Sequence, residues 1–191
     1  MIPITNGWVV YKPNHSQVTF EEFIELYDPS KMANRESAWI AAESPNHNML
    51  HEAVSDVPSL IVAWESLPPE GKSADLLESL AKEYNVVVGK WMLFTSRDKA
   101  KDTWKRIAKD VTEGNLGSSA KISTLSNDSK QQHVICVYTR DYTDQEDVLR
   151  VRMRLRTLGF TRKLHYKADA YTYCNIYANN PWHIAPSRYS E

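Results

Sequence analysis

The chain has 191 residues, a formal charge of −1, and 42% apolar and 25% charged residues. One domain of that length buries about 70% of its unfolded surface, and the near-neutral charge excludes a globally basic nucleic-acid or membrane binder. Any phosphate-binding surface must then be a local patch, offset by acidic residues elsewhere.

Trp8-Val9-Val10-Tyr11, ended by Lys12-Pro13-Asn14, reads as a first strand. A helix follows: Thr19 caps it, Glu22 completes a capping box, and Val18 staples onto Phe23. Phe20, Phe23, Ile24 and Tyr27 share its inner face, and Asp28-Pro29 ends it. Ala38-Trp39-Ile40 and Leu60-Ile61-Val62-Ala63-Trp64 read as strands, separated by a polar stretch with Pro45, Asn46 and Asn48. Pro68-Pro69-Glu70-Gly71 is a loop. Leu76, Leu77, Leu80 and Tyr84 predict a helix from Ser73 to Tyr84, and residues 86–94 predict a buried strand broken or kinked at Gly89.

Ala100, Trp104, Ile107, Ala108 and Val111 form the clearest helical stripe, closed by Gly114. Residues 121–125 read as a strand, Ser126-Asn127-Asp128-Ser129 as a turn, and residues 134–139 as a hydrophobic strand. Residues 143–158 fit both periods. The Thr143/Glu146 capping box, the terminal Gly159, and acid at the front with arginine behind favour the helix. Alternation at Leu164 and Tyr166, then at Tyr171 and Tyr173, predicts two more strands before an end that carries Trp182 and Tyr189. Together these elements predict a single α+β domain over residues 1–191, a curved, mostly antiparallel sheet with helices on one, convex, face.

Cys136 and Cys174 are too few for a disulfide framework and form no CxxC pair. Met1 to Val10 lacks the pattern of a signal peptide, and no run approaches the roughly 18 apolar residues of a membrane span. The expectation is a monomeric cytoplasmic or nuclear protein.

Two groups of residues could carry a ligand. Six tryptophans and ten tyrosines are many for this length, and aromatic faces stack on bases. Trp39, Trp64 and Glu65 would make a stacking pocket with a carboxylate reader; the competing reading puts both indoles in the core and Glu65 in solvent. Lys121, Arg140, Lys163 and Lys167, with Tyr138, Tyr166 and Tyr171, would converge on a phosphate if their strands are neighbours. Otherwise they are ordinary surface charges at strand ends. Arg150, Arg152, Arg154 and Arg156 fall on both flanks of a helix, where they meet RNA phosphates or simply solvent. His47 and His51 have the four-residue spacing of a helical metal pair but no further ligand cluster, and no metal or cofactor is expected. Asp141, Asp144, Asp147 and Asp169 could in principle hold magnesium, although Asp144 and Asp147 suit the first turn of a helix better. There is no GxSxG, HExxH or Gly-rich phosphate loop, so no enzyme is expected.

Gly89-Lys90-Trp91, Asp102-x-Trp104, the run from His133 to Asp144, Asp147-Val148 and Tyr166-Lys167-x-Asp169-x-Tyr171-Thr172 resemble the basophilic-leukaemia-expressed protein family, from about residue 86 onward. Architecturally the order of elements resembles the cap-binding translation initiation factor. That resemblance implies two tryptophans sandwiching a methylated guanine, a glutamate on the base edge and basic residues on the phosphates. Trp64-Glu65 matches one wall, but the loop from Lys12 to Val18 has no tryptophan, leaving Tyr11 or His15 for the other. The expected function is non-catalytic binding of a nucleotide or RNA on the concave sheet face. The alternative is an adaptor that binds a protein partner through its helical face.

Overall fold

In the computed structural model, residues 2, 4–5, 7–47, 54–126 and 132–191 are described. Strands β1 (Ile4–Thr5), β2 (Trp8–Tyr11), β3 (Trp39–Glu43), β4 (Gly89–Thr95), β5 (Ser119–Ser123), β6 (His133–Thr139), β7 (His165–Ala168) and β8 (Tyr189–Ser190) form one open sheet. Their order is β1-β2-β3-β5-β6-β4-β7-β8. Only β2 and β3 pair in parallel; the other pairs are antiparallel. The expected α+β class is therefore observed.

Side-chain alternation along these strands divides the sheet into two unlike faces. Val9, Ile40, Ala42, Ala120, Ile122, Ile135, Val137, Trp91, Leu93 and Tyr166 point to one side and are buried in a common core. Helices α1 (Phe20–Leu26), α2 (Val57–Ser66), α3 (Ala74–Glu83), α4 (Arg97–Thr112) and α5 (Gln145–Thr157) contribute to that core, as does the short α6 (Asp169–Tyr173). Each fully buried large apolar side chain contributes on the order of 1.5–3 kcal/mol. The helix α1 has the expected reciprocal capping box between Thr19 and Glu22. Trp91, at the sheet centre, donates its indole N–H to the Val148 carbonyl of α5 at 3.0 Å, which satisfies a donor that burial would otherwise leave unpaired. The helices α4 and α5 are joined by a two-pronged contact, Arg154 to Asp110, at 2.8 and 2.5 Å.

Glycine is required at 89. A Cβ there would collide with the Tyr166 ring, whose hydroxyl meets the Thr139 hydroxyl at 2.5 Å. The strand β4 begins at this glycine, so residues 86–88 of the expected strand lie before it.

Two expected strands are helices. Residues 60–64 lie in α2, where the Asp56 side chain accepts from the Ser59 N–H and Pro58 occupies the first turn. Leu60 and Trp64, four apart, face the core while Val62 is exposed, a helical pattern hidden inside a β-branched run. Residues 169–173 form α6, so Tyr171 and Tyr173 do not belong to a strand. The expected turn at 126–129 lies outside the described residues from Asn127 onward, as does His51.

Candidate functional site

The face opposite the helices carries Trp8 and Val10 from β2, Trp39, Ala41 and Glu43 from β3, and Lys121 from β5. Cys136 and Tyr138 come from β6, Lys90 and Met92 from β4, and Lys167 from β7. Strand register fixes this set, because each residue alternates with a core residue. Tyr138, Lys90 and Lys167 are directly aligned across β6, β4 and β7. Lys121 pairs with Cys136, one diagonal step away, and Trp39 pairs with Trp8 at the far end. The result is a track of aromatic and basic side chains across six strands.

The three ammonium groups have different surroundings. Lys121 sits over the rings of Trp39 and Trp8, at 4.2 and 4.3 Å from their centroids, and 5.6 Å from that of Tyr138. Such cation–π contacts hold a lysine without neutralising it. Lys90 forms an ion pair with Asp169, donates to the Thr172 hydroxyl at 3.2 Å, and lies 5.8 Å from the Tyr138 ring centroid. Lys167 lies 3.7 Å from the ring centroid of Tyr177 and makes no hydrogen bond or ion pair with any described residue. Lys90 and Lys167 are buried, at 8% and 5% exposure.

Burial acts on these charges as expected of desolvation. It pulls the Lys167 ammonium down to about 8, helped by the like charge of Lys90 and opposed by Asp169. Lys121 is also lowered, mainly by burial, with Lys90 adding to the effect. Burial pushes the Tyr138 hydroxyl and the Cys136 thiol up, so both stay protonated at neutral pH. The local charge is therefore positive: Asp169 is the carboxylate beside the three lysines, and Glu43, on the same face, is paired with Lys12 at 3.3 Å.

Of the residues expected to bind a ligand, Trp39, Lys121, Tyr138 and Lys167 come together here. Trp64 does not. It is 2% exposed in α2, on the helical side, packed edge-on against Trp182 at 5.3 Å with Lys72 over both rings. Glu65 is exposed on the same helix, away from the track. The expected Trp39–Trp64–Glu65 pocket does not form, because the segment is a helix rather than a strand. Tyr171 is buried on α6 and offers no free ring, Tyr166 is in the core, and Lys163 is exposed in the loop before β7. Arg140, just past β6, donates to the Asn46 carbonyl at 2.8 Å and lines a separate cleft of about 290 Å³ with Asp141, Asp144, Asp147 and Arg150.

Sequence reading missed Lys90, Trp8, Asp169 and Tyr177 as members of the track. The signal for Lys90 was present: it precedes a core tryptophan in a strand and must face the other way. The arginine run is not one surface either. Arg152 is 1% exposed and donates to the carbonyls of Phe160, Arg162 and Glu191, tying the last segments to α5.

The fold and this face define an α+β protein whose helices cover one side of the sheet and whose other side is basic and aromatic. The chain belongs to the family described as basophilic leukemia-expressed protein Bles03, which matches residues 65–175, more than half of its length. The matched span includes all three lysines, Tyr138 and Asp169, whereas Trp8, Trp39 and Tyr177 lie outside it. No helix of the described residues is long and apolar enough to cross a membrane.

Proposed function

We propose that this protein binds a nucleotide or single-stranded RNA, without catalysis, on the uncovered face of its sheet. The observation that carries this reading is the Lys121 ammonium lying over both Trp8 and Trp39 and sharing the Tyr138 ring with Lys90, which in turn stands opposite Lys167. Stacking surface and phosphate-binding charge adjoin, which is the combination that single-stranded nucleic acid requires. The chain lacks the nucleophile and metal-hydrolase motifs of common enzyme classes, which supports binding rather than turnover. The Trp64–Glu65 reader of a cap-binding site has no part in this proposal, because Trp64 is committed to the core.

Calorimetric titration with mononucleotides and short RNAs over a range of salt concentrations tests the reading. Binding that weakens steadily with salt is expected. Heat-silent titrations at millimolar nucleotide, with no salt-dependent RNA binding by anisotropy, would remove it.

A second reading draws on Leu149 and Met153, four residues apart on α5 and 46% and 54% exposed. They give the helical side a small apolar strip on which a protein partner could dock. Alanine at both positions would abolish such a contact and leave nucleotide binding intact.

A further inference from the structure

The charge geometry of the uncovered face distinguishes between two kinds of phosphate. We infer that the track takes a terminal phosphate monoester, the phosphate end of a nucleoside monophosphate or of an RNA, in preference to the internal diesters of an RNA chain. This inference rests on the nucleotide-binding reading above and deepens it.

Three observations carry it. First, the lysines converge instead of spreading out. Lys90 and Lys167 are cross-strand partners, and Lys90 and Lys121 both stand within 6 Å of the Tyr138 ring centroid, at 5.8 and 5.6 Å. A polymer backbone carries one charge per nucleotide and is best matched by cations strung along a groove, whereas a monoester concentrates nearly two charges on one phosphorus at neutral pH. Second, two of the three lysines are more than nine-tenths buried, and Lys167 has no anionic or hydrogen-bonding partner among the described residues. Buried ammonium groups left in that state are costly, and an arriving dianion with three acceptor oxygens supplies what they lack. Third, the cluster is bounded. Asp169 and Thr172 of α6 hold Lys90 on one side, and the Trp8–Trp39 pair stands on the other. An end group placed among the lysines leaves its base beside the indoles, while the rest of a longer chain leaves toward solvent. The pairing of stacking surface with phosphate site is what favours a nucleotide over other phosphate monoesters.

The titratable groups on the face of Lys167 bear on the test: His165 on its own strand, Lys90 on β4, Lys121 on β5, Cys136 and Tyr138 on β6, Asp169 and Tyr173 on α6, and Tyr177 beyond it. Tyr138, Tyr173 and Cys136 are all raised, mainly by burial, and so remain neutral near pH 8. A phosphate dianion should therefore draw a proton onto Lys167, which titrates near 8.

The experiment compares one short single-stranded RNA with and without a 5′-phosphate, and adenosine with its 5′-monophosphate. Titrations at pH 8 use two buffers of different ionisation enthalpy. A 5′-phosphate that tightens binding by about tenfold or more, with net proton uptake that disappears in Lys167→Met, supports the inference. Retention of the monophosphate effect with loss of the RNA effect assigns the site to free nucleotides and also supports it. Equal affinity for phosphorylated and unphosphorylated RNA, still weakened by Lys121→Ala, overturns the inference and leaves the RNA-binding reading standing. No binding of any of the four probes overturns both.

Discussion

Lys90 and Lys167 stand directly opposite each other on β4 and β7, both buried, and Asp169 pairs with Lys90 alone. Like charges facing each other across a strand pair are destabilising, and the fold keeps this pair one strand in from the β8 edge of the sheet. Much of what can be tested follows from that juxtaposition.

The first consequence concerns pH. Lys167 titrates near 8 in the folded chain against an ordinary value of 10.5, so between those values the unfolded chain binds more protons. Stability therefore rises with pH across that window, by about 1–3 kcal/mol from this residue. The cost is fully present below pH 8. Urea unfolding midpoints at pH 7.5, 9 and 10 should rise more in the native chain than in Lys167→Met, because only the native chain has this proton to lose. Parallel profiles would show that Lys167 is not desolvated.

Asp169 provides the second. Its side chain and that of Lys90 are 15% and 11% exposed. Asp169→Asn strands a buried ammonium and should cost about 3–5 kcal/mol. Adding Lys90→Met to Asp169→Asn should restore most of that loss, since the pair then leaves together. A double-mutant cycle by denaturant unfolding reads both numbers; a single-variant loss below half a pair's expected cost would place the ion pair in solvent.

Binding should separate from stability at the lysines. Lys121→Ala and Lys167→Ala are each expected to weaken nucleotide or RNA binding. Each should also flatten the plot of log affinity against log salt, by about 0.7 for every phosphate the variant no longer neutralises. Lys121→Ala should barely move the melting temperature, and Lys167→Ala, which also removes the cost of a buried charge below pH 8, should not lower it. Unchanged affinity in a well-folded double variant would remove the site from this face.

The tryptophans should separate in the opposite sense. Trp64→Ala empties a core position and should cost about 3–5 kcal/mol while leaving binding unchanged. Trp39→Ala removes a ring that Lys121 covers and should cut base stacking by about 1–3 kcal/mol with little loss of stability. Binding lost with Trp64 and kept with Trp39 would reverse the assignment.

Helices with capping signals and apolar stripes were legible in the sequence: α1, α3 and α4 fall where Thr19, Ser73 and the Trp104 stripe put them, and α5 falls within the 143–159 pattern, although Asp144, accepting from the Asp147 N–H, caps it in place of the expected Thr143. The hydrophobic strands β4 and β6 were legible for the same local reason. The β-branched run before Trp64 misled because Asp56 and Pro58 set a helix start that residue propensity alone does not reveal. At the site, four expected residues met because their strands are neighbours, but sequence order conceals that β4 lies between β6 and β7. Lys90 was therefore invisible as a partner of Lys167, 77 positions away in the chain, until register placed them opposite. The pairing of Asp169 with Lys90 depends on α6 following β7 at the sheet, which sequence order does not show.

The distribution of the six tryptophans has an optical consequence. Trp64, Trp91 and Trp104 are buried behind the sheet, and Trp182 packs with Trp64. Only Trp8 and Trp39 lie on the uncovered face, partly exposed and each beneath the Lys121 ammonium. Emission from the buried indoles forms a constant, blue-shifted background set by the fold, whereas the remaining component depends on what lies above two rings. A molecule that draws Lys121 away or stacks in its place alters that component alone. The protein thus carries an unlabelled optical reporter of its own occupancy, and in Trp8→Phe/Trp39→Phe that reporter falls silent while the buried background persists.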